Sequence, residues 1–318
     1  MSVIKEDKKC TTLLYELLNR IDIPPTSSLL HEKGPNISRK LWNQIGDLVS
    51  VTEKLPIMKS RSDQYITLRL DIRGMSTMKK ELYKLGIFIS PGFDSYFANY
   101  MIKITNYLVG EFNATLGYTQ SDEITLLLSP SFLEGQEEGK EKLINPKFEY
   151  PFSGKRDKLV SLSASLASSL FNRAIIQDYF QNHSNTQELE VEDLIPLIQF
   201  DCRMGIWNTY LDALQVILWR QYDCGVNGIS DAVYHLDNNK NKAIMKLDSN
   251  KKLEYLEEQK QLPLPPHQAY GTLVYKTKEM QEDTHYRTGK PIQVEHTVVT
   301  SYPSCNILNL LKSKNWKL

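Results

Sequence analysis

The feature that most constrains the fold is a short segment, residues 65–71, in which apolar and polar side chains alternate strictly (Tyr-Ile-Thr-Leu-Arg-Leu-Asp). A period of two puts the aliphatic side chains on one face and predicts a half-buried β-strand. The strand ends at Asp71, and a short turn leads into a helix that we expect from about residue 76. A carboxylate is therefore predicted at the edge of a sheet, close to the first turn of a helix.

A second polar cluster interrupts an apolar stretch further along the chain. Residues 115–128 are typical of two short strands around a turn, with Ser121, Asp122 and Glu123 at or beside its tip. Residues 197–203 predict one more strand, and helical periodicity surrounds these segments. The order strand, helix, helix, hairpin, helix, strand, helix favours the α+β class and a ferredoxin-like palm, an antiparallel sheet with helices on one face.

The chain divides into three predicted regions. Residues 1–60 are expected to form a helical N-terminal extension, residues 61–236 the catalytic palm domain, and residues 237–318 a C-terminal region with a late hairpin and a basic tail. The proline-rich residues 262–266 precede that hairpin as a stiff linker. The chemistry is therefore expected in the middle region.

Composition excludes some classes of protein and leaves others open. The 38 basic residues balance the 38 acidic ones, which excludes a uniformly basic surface but not segregated basic patches. The four cysteines form no CxxC pair and predict neither a zinc site nor a disulfide framework. The N-terminus lacks an apolar signal segment and the chain has no run of 18 apolar residues. We therefore expect a cytoplasmic protein that does not enter a membrane.

Asp71 and Asp122 are the carboxylates whose positions indicate chemistry, because a strand end and a hairpin tip can be adjacent in a palm sheet. Two converging carboxylates suit Mg²⁺, and two such ions would activate an attacking oxygen and stabilise a leaving pyrophosphate. The Ile72 carbonyl is a natural further ligand, and the amides from Arg73 to Thr77 form an anion site at a helix N-terminus. The alternative is that Asp71 is a solvated strand-end residue and Asp122 a turn former.

Six segments resemble the motifs of the tRNA-His guanylyltransferase superfamily, the 3′-to-5′ nucleotide polymerases, and occur in the family's order. The resemblance spans about residues 65–275, and several motifs in order are more specific than any one of them. The segments are Leu68–Met75 (family motif RLDGRxF), Gly117–Glu123 (GYGQSDE), Phe152–Leu162 (FNRRxSKLxSL), Phe200–Arg203 (FDxR), Trp219–Asp223 with Asn227 (WRQxDxxxN) and Tyr270–Thr272 (YGT).

This resemblance implies a metal-dependent nucleotidyltransferase with a palm related to that of nucleotidyl cyclases. Two Mg²⁺ ions would be held by Asp71, Asp122 and the backbone carbonyl of Ile72. Family members activate a 5′-monophosphate RNA end with ATP or GTP and then attack it with the 3′-hydroxyl of an incoming nucleotide. The implied partners are nucleoside triphosphates and RNA, above all tRNA, and the implied assembly is a homotetramer.

Carried over position by position, the resemblance also assigns nucleotide-binding residues. Ser121, Lys155 and Lys158 would bind nucleotide phosphates. Glu123 would join the two aspartates as a catalytic residue if its side chain supports the metal site, although a hairpin position also lets it point away. Residues of the turn after Asp71 would bind the triphosphate, namely Arg73, Gly74, Met75 and Ser76.

Three departures from the family pattern bear on activity and substrate. Ile72 replaces the glycine after the first metal aspartate, so a backbone ligand there requires the same φ/ψ, and a positive φ would be costly for isoleucine. Met75 and Ser76 replace the family's aromatic residue and histidine. Residues 225–230 lack the histidine that guanylyltransferases proper use to read the tRNA-His anticodon. That absence resembles the guanylyltransferase-like branch, so we favour repair of 5′-truncated RNA over dedicated tRNA-His maturation.

Two alternatives remain open. The turn at Gln120–Glu123 superficially resembles the GGDEF motif, which leaves a nucleotidyl cyclase or cyclic-dinucleotide synthase on the same palm as a second hypothesis. Cyclases, however, do not need the match at Trp219–Asp223. A catalytically inactive RNA-binding homologue is the third hypothesis; Ile72 and the altered phosphate turn favour it, and the two retained aspartates oppose it.

Overall fold

The computed structural model describes residues 39–90, 92–131, 144–182, 195–236, 242–284 and 291–302. Its helices are α1 (Arg39–Glu53), α2 (Met75–Lys84), α3 (Ser95–Glu111), α4 (Arg156–Asn182), α5 (Tyr210–Leu236), α6 (Lys242–Met245), α7 (Ser249–Glu258) and α8 (Pro266–Tyr270). Its strands are β1 (Tyr65–Ile72), β2 (Leu116–Gln120), β3 (Glu123–Leu128), β4 (Phe200–Trp207), β5 (Thr272–Thr284) and β6 (Pro291–Tyr302).

The six strands form one antiparallel sheet in the order β4-β1-β3-β2-β5-β6. In the pairing of β1 with its two neighbours, Asp71 on β1 lies opposite Glu123 on β3 and opposite Asp201 on β4. The predicted order of the palm elements is present, so the α+β class and the palm-like antiparallel sheet are confirmed. The register matters for function because it collects acidic residues at one end of the sheet.

Three helices cover one face of the sheet, as the sequence predicts. The aliphatic side chains of β1, namely Ile66, Leu68 and Leu70, are fully buried there in an apolar cluster with residues of α2, α3 and α4. Helix α4 packs closely on β4, and the N–H of Phe200 donates to the hydroxyl of Ser168 at 2.9 Å. This face is the larger part of the core.

Helices α1 and α5 cover the opposite face, so helices lie on both sides of the sheet rather than on one. Val49 of α1 and Leu214 of α5 are buried in a second apolar cluster. Leu116 and Leu127 contribute to this cluster from β2 and β3. The helical segment before the palm is thus part of its packing.

The expectation that β1 is half buried is wrong. Thr67 and Arg69, on its polar face, are 1% and 7% exposed. Their polar groups are satisfied inside the protein, because the Trp207 indole N–H donates to the Thr67 hydroxyl at 2.8 Å and the Arg69 guanidinium pairs with Glu53 of α1. Sequence periodicity does not reveal that a polar side chain is buried, because its burial depends on partners that are distant in the sequence.

The late hairpin is present and extends the palm sheet. Strand β5 pairs with β2 over Thr272–Tyr275 and with β6 along its length. The division into three regions stays a prediction. Residues 1–38 of the N-terminal extension and the basic tail within residues 303–318 lie outside the described residues.

Helix α4 is the one described helix that is long and apolar enough to cross a membrane, judged by length and composition over Arg156–Phe180. Its Leu159, Ala167, Phe171 and Ile175 side chains are fully buried in the core. The small serine and alanine residues between them let the helix pack closely on the sheet. That the protein does not enter a membrane stays a prediction.

Gly271, between α8 and β5, has a φ of +73°, and a Cβ there would lie 2.3 Å from the Tyr118 hydroxyl oxygen. We expect Gly271→Ala to lower the free energy of unfolding by about 2–4 kcal/mol, because backbone strain and overpacking add. Gly110→Ala is the control, since apart from its chain neighbours and its own helix backbone no described atom lies within 4 Å of the new Cβ. Chemical denaturation of both variants gives their unfolding midpoints, and equal midpoints would contradict the expectation.

Candidate active site

The candidate site lies at one end of the central strands, where β1 ends and the β2–β3 hairpin turns. We call this end of the sheet, with Asp71, Asp122 and Asp201, the acidic edge. Asp71 is the last residue but one of β1, and Asp122 lies in the two-residue loop between β2 and β3. The N–H of Ile72 donates to the Asp122 carbonyl at 3.2 Å, which ties the hairpin tip to the end of β1. The structure therefore brings together the two aspartates that the sequence predicts as metal ligands.

Asp201 is a further acidic residue at this edge. It lies opposite Asp71 across β1 and β4, and its Oδ1 is buried without a hydrogen-bond partner among the described residues. Burial raises the pKa of Asp71 to about 6, and repulsion from Asp122, Glu123 and Asp201 adds to the effect. Arg69 opposes this rise in the pKa. Negative charge is thus in excess at the edge of the sheet.

A divalent cation fits this excess of negative charge. The crowded carboxylates and the unpartnered Asp201 oxygen are hard oxygen donors of the kind that Mg²⁺ takes in proteins. Within the described ranges, no group of three His, Cys, Asp or Glu side chains forms a ready-made cage. A site of two carboxylates completed by a backbone carbonyl and substrate phosphates does not require one.

Ile72 occupies the position of the family's glycine without backbone strain. Its side chain is buried in the apolar cluster on the face of α2–α4. Ile72 is not among the described non-glycine residues with a positive φ. The isoleucine therefore does not by itself exclude a backbone ligand here, and the role of its carbonyl stays a prediction.

The turn into α2 offers fewer free amides than the sequence predicts. The Arg73 N–H donates to the Gln199 carbonyl at 2.9 Å, and the Thr77 N–H donates to the Gly74 carbonyl at 3.1 Å. Gly74 is the N-cap, with φ +69° and no side-chain cap. An uncapped first turn leaves its backbone amides open to an anion. The amides that can bind one are therefore those of Gly74–Ser76, fewer than the predicted set from Arg73 to Thr77.

A cavity of about 270 Å³ opens beside the hairpin tip. Ser121, which has a φ of +45°, lies in its wall next to Asp122. Phe93 and Phe97 contribute aromatic surface, and the Lys79 ammonium lies 5.0 Å from the centre of the Phe97 ring. The predicted phosphate-binding Ser121 thus borders both the acidic edge and a partly aromatic cavity.

The structure decides between the two orientations left open for Glu123. Its carboxylate lies 2.5 Å from Arg220 Nε and 4.0 Å from Arg69 Nη1, and it accepts a hydrogen bond from the Gln120 amide at 2.9 Å. Arg220 also contacts Asp223 at 2.8 Å. These contacts hold Glu123 in a mostly buried ion-pair cluster and favour a positioning role over the predicted catalytic one.

Lys155 and Lys158 are the two lysines that the resemblance assigns to nucleotide phosphates. Both are exposed at the start of α4, where Lys155 forms a β-bridge with Lys59 in the segment before β1. Helix α4 contacts β4 next to Asp201 at two points: the Phe200 N–H donates to the Ser168 hydroxyl, and the Ser163 hydroxyl lies 3.2 Å from the Cys202 Sγ. The role of the two lysines in nucleotide binding stays a prediction.

Two features of the site escaped the sequence analysis. Asp201 lies in the segment that resembles the FDxR motif, and its place near the start of a strand was the signal that could have identified it. The cavity has no such signal, because its walls come from α2, from α3 and the loop before it, from the hairpin tip, and from α5 and α8. Only folding brings these segments together.

Comparisons with known sequences identify proteins that this chain resembles. Residues 53–207 match the family model for tRNAHis guanylyltransferase. An uncharacterized protein of Acanthamoeba polyphaga mimivirus is 25% identical over 251 residues, which cover 76% of this chain and 80% of that protein. Residues 53–207, which match the family model, contain β1, the β2–β3 hairpin and β4, the three elements that carry the acidic edge.

Solved structures share the fold. A bacterial tRNA(His) guanylyltransferase-like protein in complex with ATP is 21% identical, with a TM-score of 0.57, 85% of this chain covered and 96% of that chain. The same type of protein in complex with GTP gives 19% identity and a TM-score of 0.51 with the same coverage. The tRNA(His) guanylyltransferase of Saccharomyces cerevisiae gives 18% identity and a TM-score of 0.50, with 70% and 90% of the two chains covered.

Proposed function

Because residues 53–207 belong to the tRNAHis guanylyltransferase family, a family of nucleotidyltransferases, we propose that this protein extends RNA 5′ ends in the 3′-to-5′ direction. The predicted family and enzyme class are confirmed by that match. The observation that carries the proposal is the meeting of Asp71 and Asp122 at one sheet edge, beside an uncapped helix N-terminus. Each of these parts suits the transfer of a nucleotide from a triphosphate.

The proposed roles follow from the positions of the residues. Asp71, Asp122 and the Ile72 carbonyl would hold Mg²⁺. When bound, the cation would neutralise phosphate charge and polarise the reacting oxygens. The amides at the start of α2 bind the triphosphate of the activating ATP or GTP, because a helix N-terminus attracts anions. The Ser121 hydroxyl contacts the same phosphates, and the cavity behind it receives the nucleoside. The solved relatives that hold ATP and GTP support this choice of nucleotides.

The ion-pair cluster behind the site keeps its two strands in place. Glu123 follows Asp122 directly, and Arg220 of α5 holds its carboxylate. Arg69, two residues before Asp71, is held by Glu53 of α1. Charged partners that fix side chains on both strands limit the movement of the carboxylates between them.

The RNA that we propose as substrate is a tRNA or tRNA-like RNA that lacks 5′ nucleotides. In the segment 225–230, which has no histidine, a Cβ on Gly228 would lie 2.1 Å from the Gln268 carbonyl oxygen. This segment of α5 is therefore packed against α8, which supports 5′-end repair rather than reading of an anticodon by α5. Assembly as a homotetramer and a cytoplasmic location stay predictions.

The test is an extension assay with Mg²⁺, labelled ATP or GTP and a 5′-monophosphorylated tRNA that lacks its first nucleotide. We expect an adenylylated or guanylylated 5′ end, followed by an RNA one nucleotide longer at its 5′ end. A full-length tRNA with a 5′-monophosphate is the matched control and should be extended less. Cyclic nucleotide without extended RNA would favour the cyclase instead. RNA binding without either product would favour the inactive homologue.

A further inference from the structure

The cavity beside Ser121 contains a buried polar group that the proposed function does not use, the imidazole of His267. This side chain is 7% exposed and lines the cavity from α8. Its Nδ1 lies 3.1 Å from the Thr272 hydroxyl. Its Nε2 is buried and has no hydrogen-bond partner among the described residues. A buried polar atom without a partner costs stability, and a bound ligand would supply the missing partner.

The other charged residues of the cavity have partners within the protein. Both carboxylate oxygens of Asp94 accept backbone N–H groups, from Ile89, Ser90 and Phe97. Asp231 faces the Gln268 amide at 3.3 Å. The third charged residue of the lining, Lys79, has its ammonium over the Phe97 ring. Two carboxylates against one ammonium leave the wall with a net negative charge, so the cavity suits an uncharged group better than a phosphate.

The chemistry of His267 narrows that group further. Burial, with a contribution from Lys79, lowers the pKa of His267 to about 4, so the ring is neutral at pH 7. A neutral imidazole has one donor and one acceptor nitrogen, and the Thr272 hydroxyl can match either tautomer. Nε2 therefore presents either a donor or an acceptor. A nucleobase edge carries both kinds of group, whereas a phosphate oxygen only accepts.

The shape of the cavity agrees with a flat ring. Phe93 lies beside His267, with ring centres 6.4 Å apart, and Phe97 forms another part of the wall. Aromatic side chains are the common stacking partners of nucleobases. A volume of about 270 Å³ is near the small end of ligand sites, which suits the nucleoside part of a nucleotide rather than the whole triphosphate.

We propose that His267 is a specificity-determining residue whose Nε2 forms a hydrogen bond with the base of the activating nucleoside triphosphate. The inference rests on the proposed function, because the triphosphate must lie at the hairpin tip for its base to reach the cavity. His267 does not touch the reacting phosphates in this arrangement. Its contribution is confined to which nucleotide is bound and how tightly.

The test measures dissociation constants of the full chain with Mg²⁺ for ATP, GTP, CTP, UTP and inorganic tripolyphosphate. We expect His267→Phe, which keeps a flat ring but removes the nitrogens, to weaken the preferred nucleotide about tenfold. The ratio between the preferred and the least preferred nucleotide should fall by a similar factor. Tripolyphosphate binding should stay within about twofold, because it has no base, and it also reports that the variant is folded. His267→Asn, whose side chain is smaller and polar, is a control for any effect of the new phenyl ring on nucleotide binding.

Several outcomes separate the inference from the proposed function. Unchanged nucleotide affinities in both variants would overturn the inference, since a water molecule then satisfies Nε2. An equal loss for nucleotides and tripolyphosphate would overturn it as well, because the effect is then not on the base. If the wild-type protein binds tripolyphosphate as tightly as every nucleotide, the inference fails and the phosphate site of the proposed function survives. If it binds none of these ligands, both fail.

Discussion

Asp71→Asn is expected to reduce 5′ extension at least about a thousandfold, because one carboxylate oxygen of the proposed cation site is replaced by an amide and metal-assisted charge stabilisation amounts to several kcal/mol. The same variant should be more stable than the wild-type protein when Mg²⁺ is absent. The physical reason is that Asp71 is partly buried beside Asp122, Glu123 and Asp201. A neutral amide removes that repulsion.

The pH dependence of this gain follows from the raised pKa of Asp71, about 6 in the folded protein against 3.8 ordinarily. Below the ordinary value the carboxyl is protonated in both states, so wild type and variant should be equally stable. Between 3.8 and about 6 the unfolded state ionises before the folded one, so the wild-type protein progressively loses stability that the variant keeps, and above 6 the difference stays constant. Because the side chain is only half buried, solvent screening limits the expected difference at pH 8 to about 1 kcal/mol.

Urea denaturation from pH 3.5 to pH 8, with and without Mg²⁺, measures both parts of this expectation. Mg²⁺ should raise the unfolding midpoint of the wild-type protein and leave that of Asp71→Asn nearly unchanged. Asp47→Asn, which alters an exposed carboxylate on α1, is the matched control and should behave as wild type. Full extension activity in Asp71→Asn would rule out the metal role of Asp71.

Arg69→Met should lower the free energy of unfolding by about 3–5 kcal/mol, because it leaves the buried Glu53 carboxylate without its partner. The Arg69 guanidinium contacts both Glu53 oxygens, at 3.0 and 2.7 Å, and the two side chains are 8% and 4% exposed. Glu123, 4.0 Å from the same guanidinium, loses part of its compensation too. Methionine keeps most of the volume, so the loss is mainly electrostatic.

A matched surface pair tests whether burial is the cause. The Arg61 guanidinium and the Asp63 carboxylate are similarly close, at 2.9 Å, but their side chains are 65% and 47% exposed. Arg61→Met should therefore cost less than about 1 kcal/mol. Adding Glu53→Leu to Arg69→Met should recover much of the lost stability, since no unpaired buried carboxylate then remains. Similar losses for Arg61→Met and Arg69→Met would contradict this account of the pair.

Much of the candidate site was predictable because its signals are local. The alternation before Asp71 predicts a strand that ends there, and the polar turn at Ser121 and Asp122 predicts a hairpin tip. The order of elements then suggests a palm in which the two aspartates meet. The orientation of Glu123 was not predictable, because it depends on Arg220, which lies 97 residues further along the chain.

The N-terminal helical segment shows where local reasoning fails. Local periodicity predicts an appended extension up to residue 60, yet Glu53 of α1 neutralises an arginine of the central strand. For the same reason, it predicts that the polar face of β1 is exposed to solvent. A polar side chain looks exposed in a sequence whenever its buried partner is far away.

By itself the sequence determined the strands, the turns and the chemical character of the acidic edge, because periodicity and turn residues act over a few neighbouring positions. The tertiary structure alone decided which charges are paired, which face of the sheet is buried, and that His267 borders the same cavity as Ser121. These features join segments that are distant in the sequence; Ser121 and His267, for example, are 146 residues apart. Their physical basis is burial and contact between distant segments, which exist only once the chain has folded.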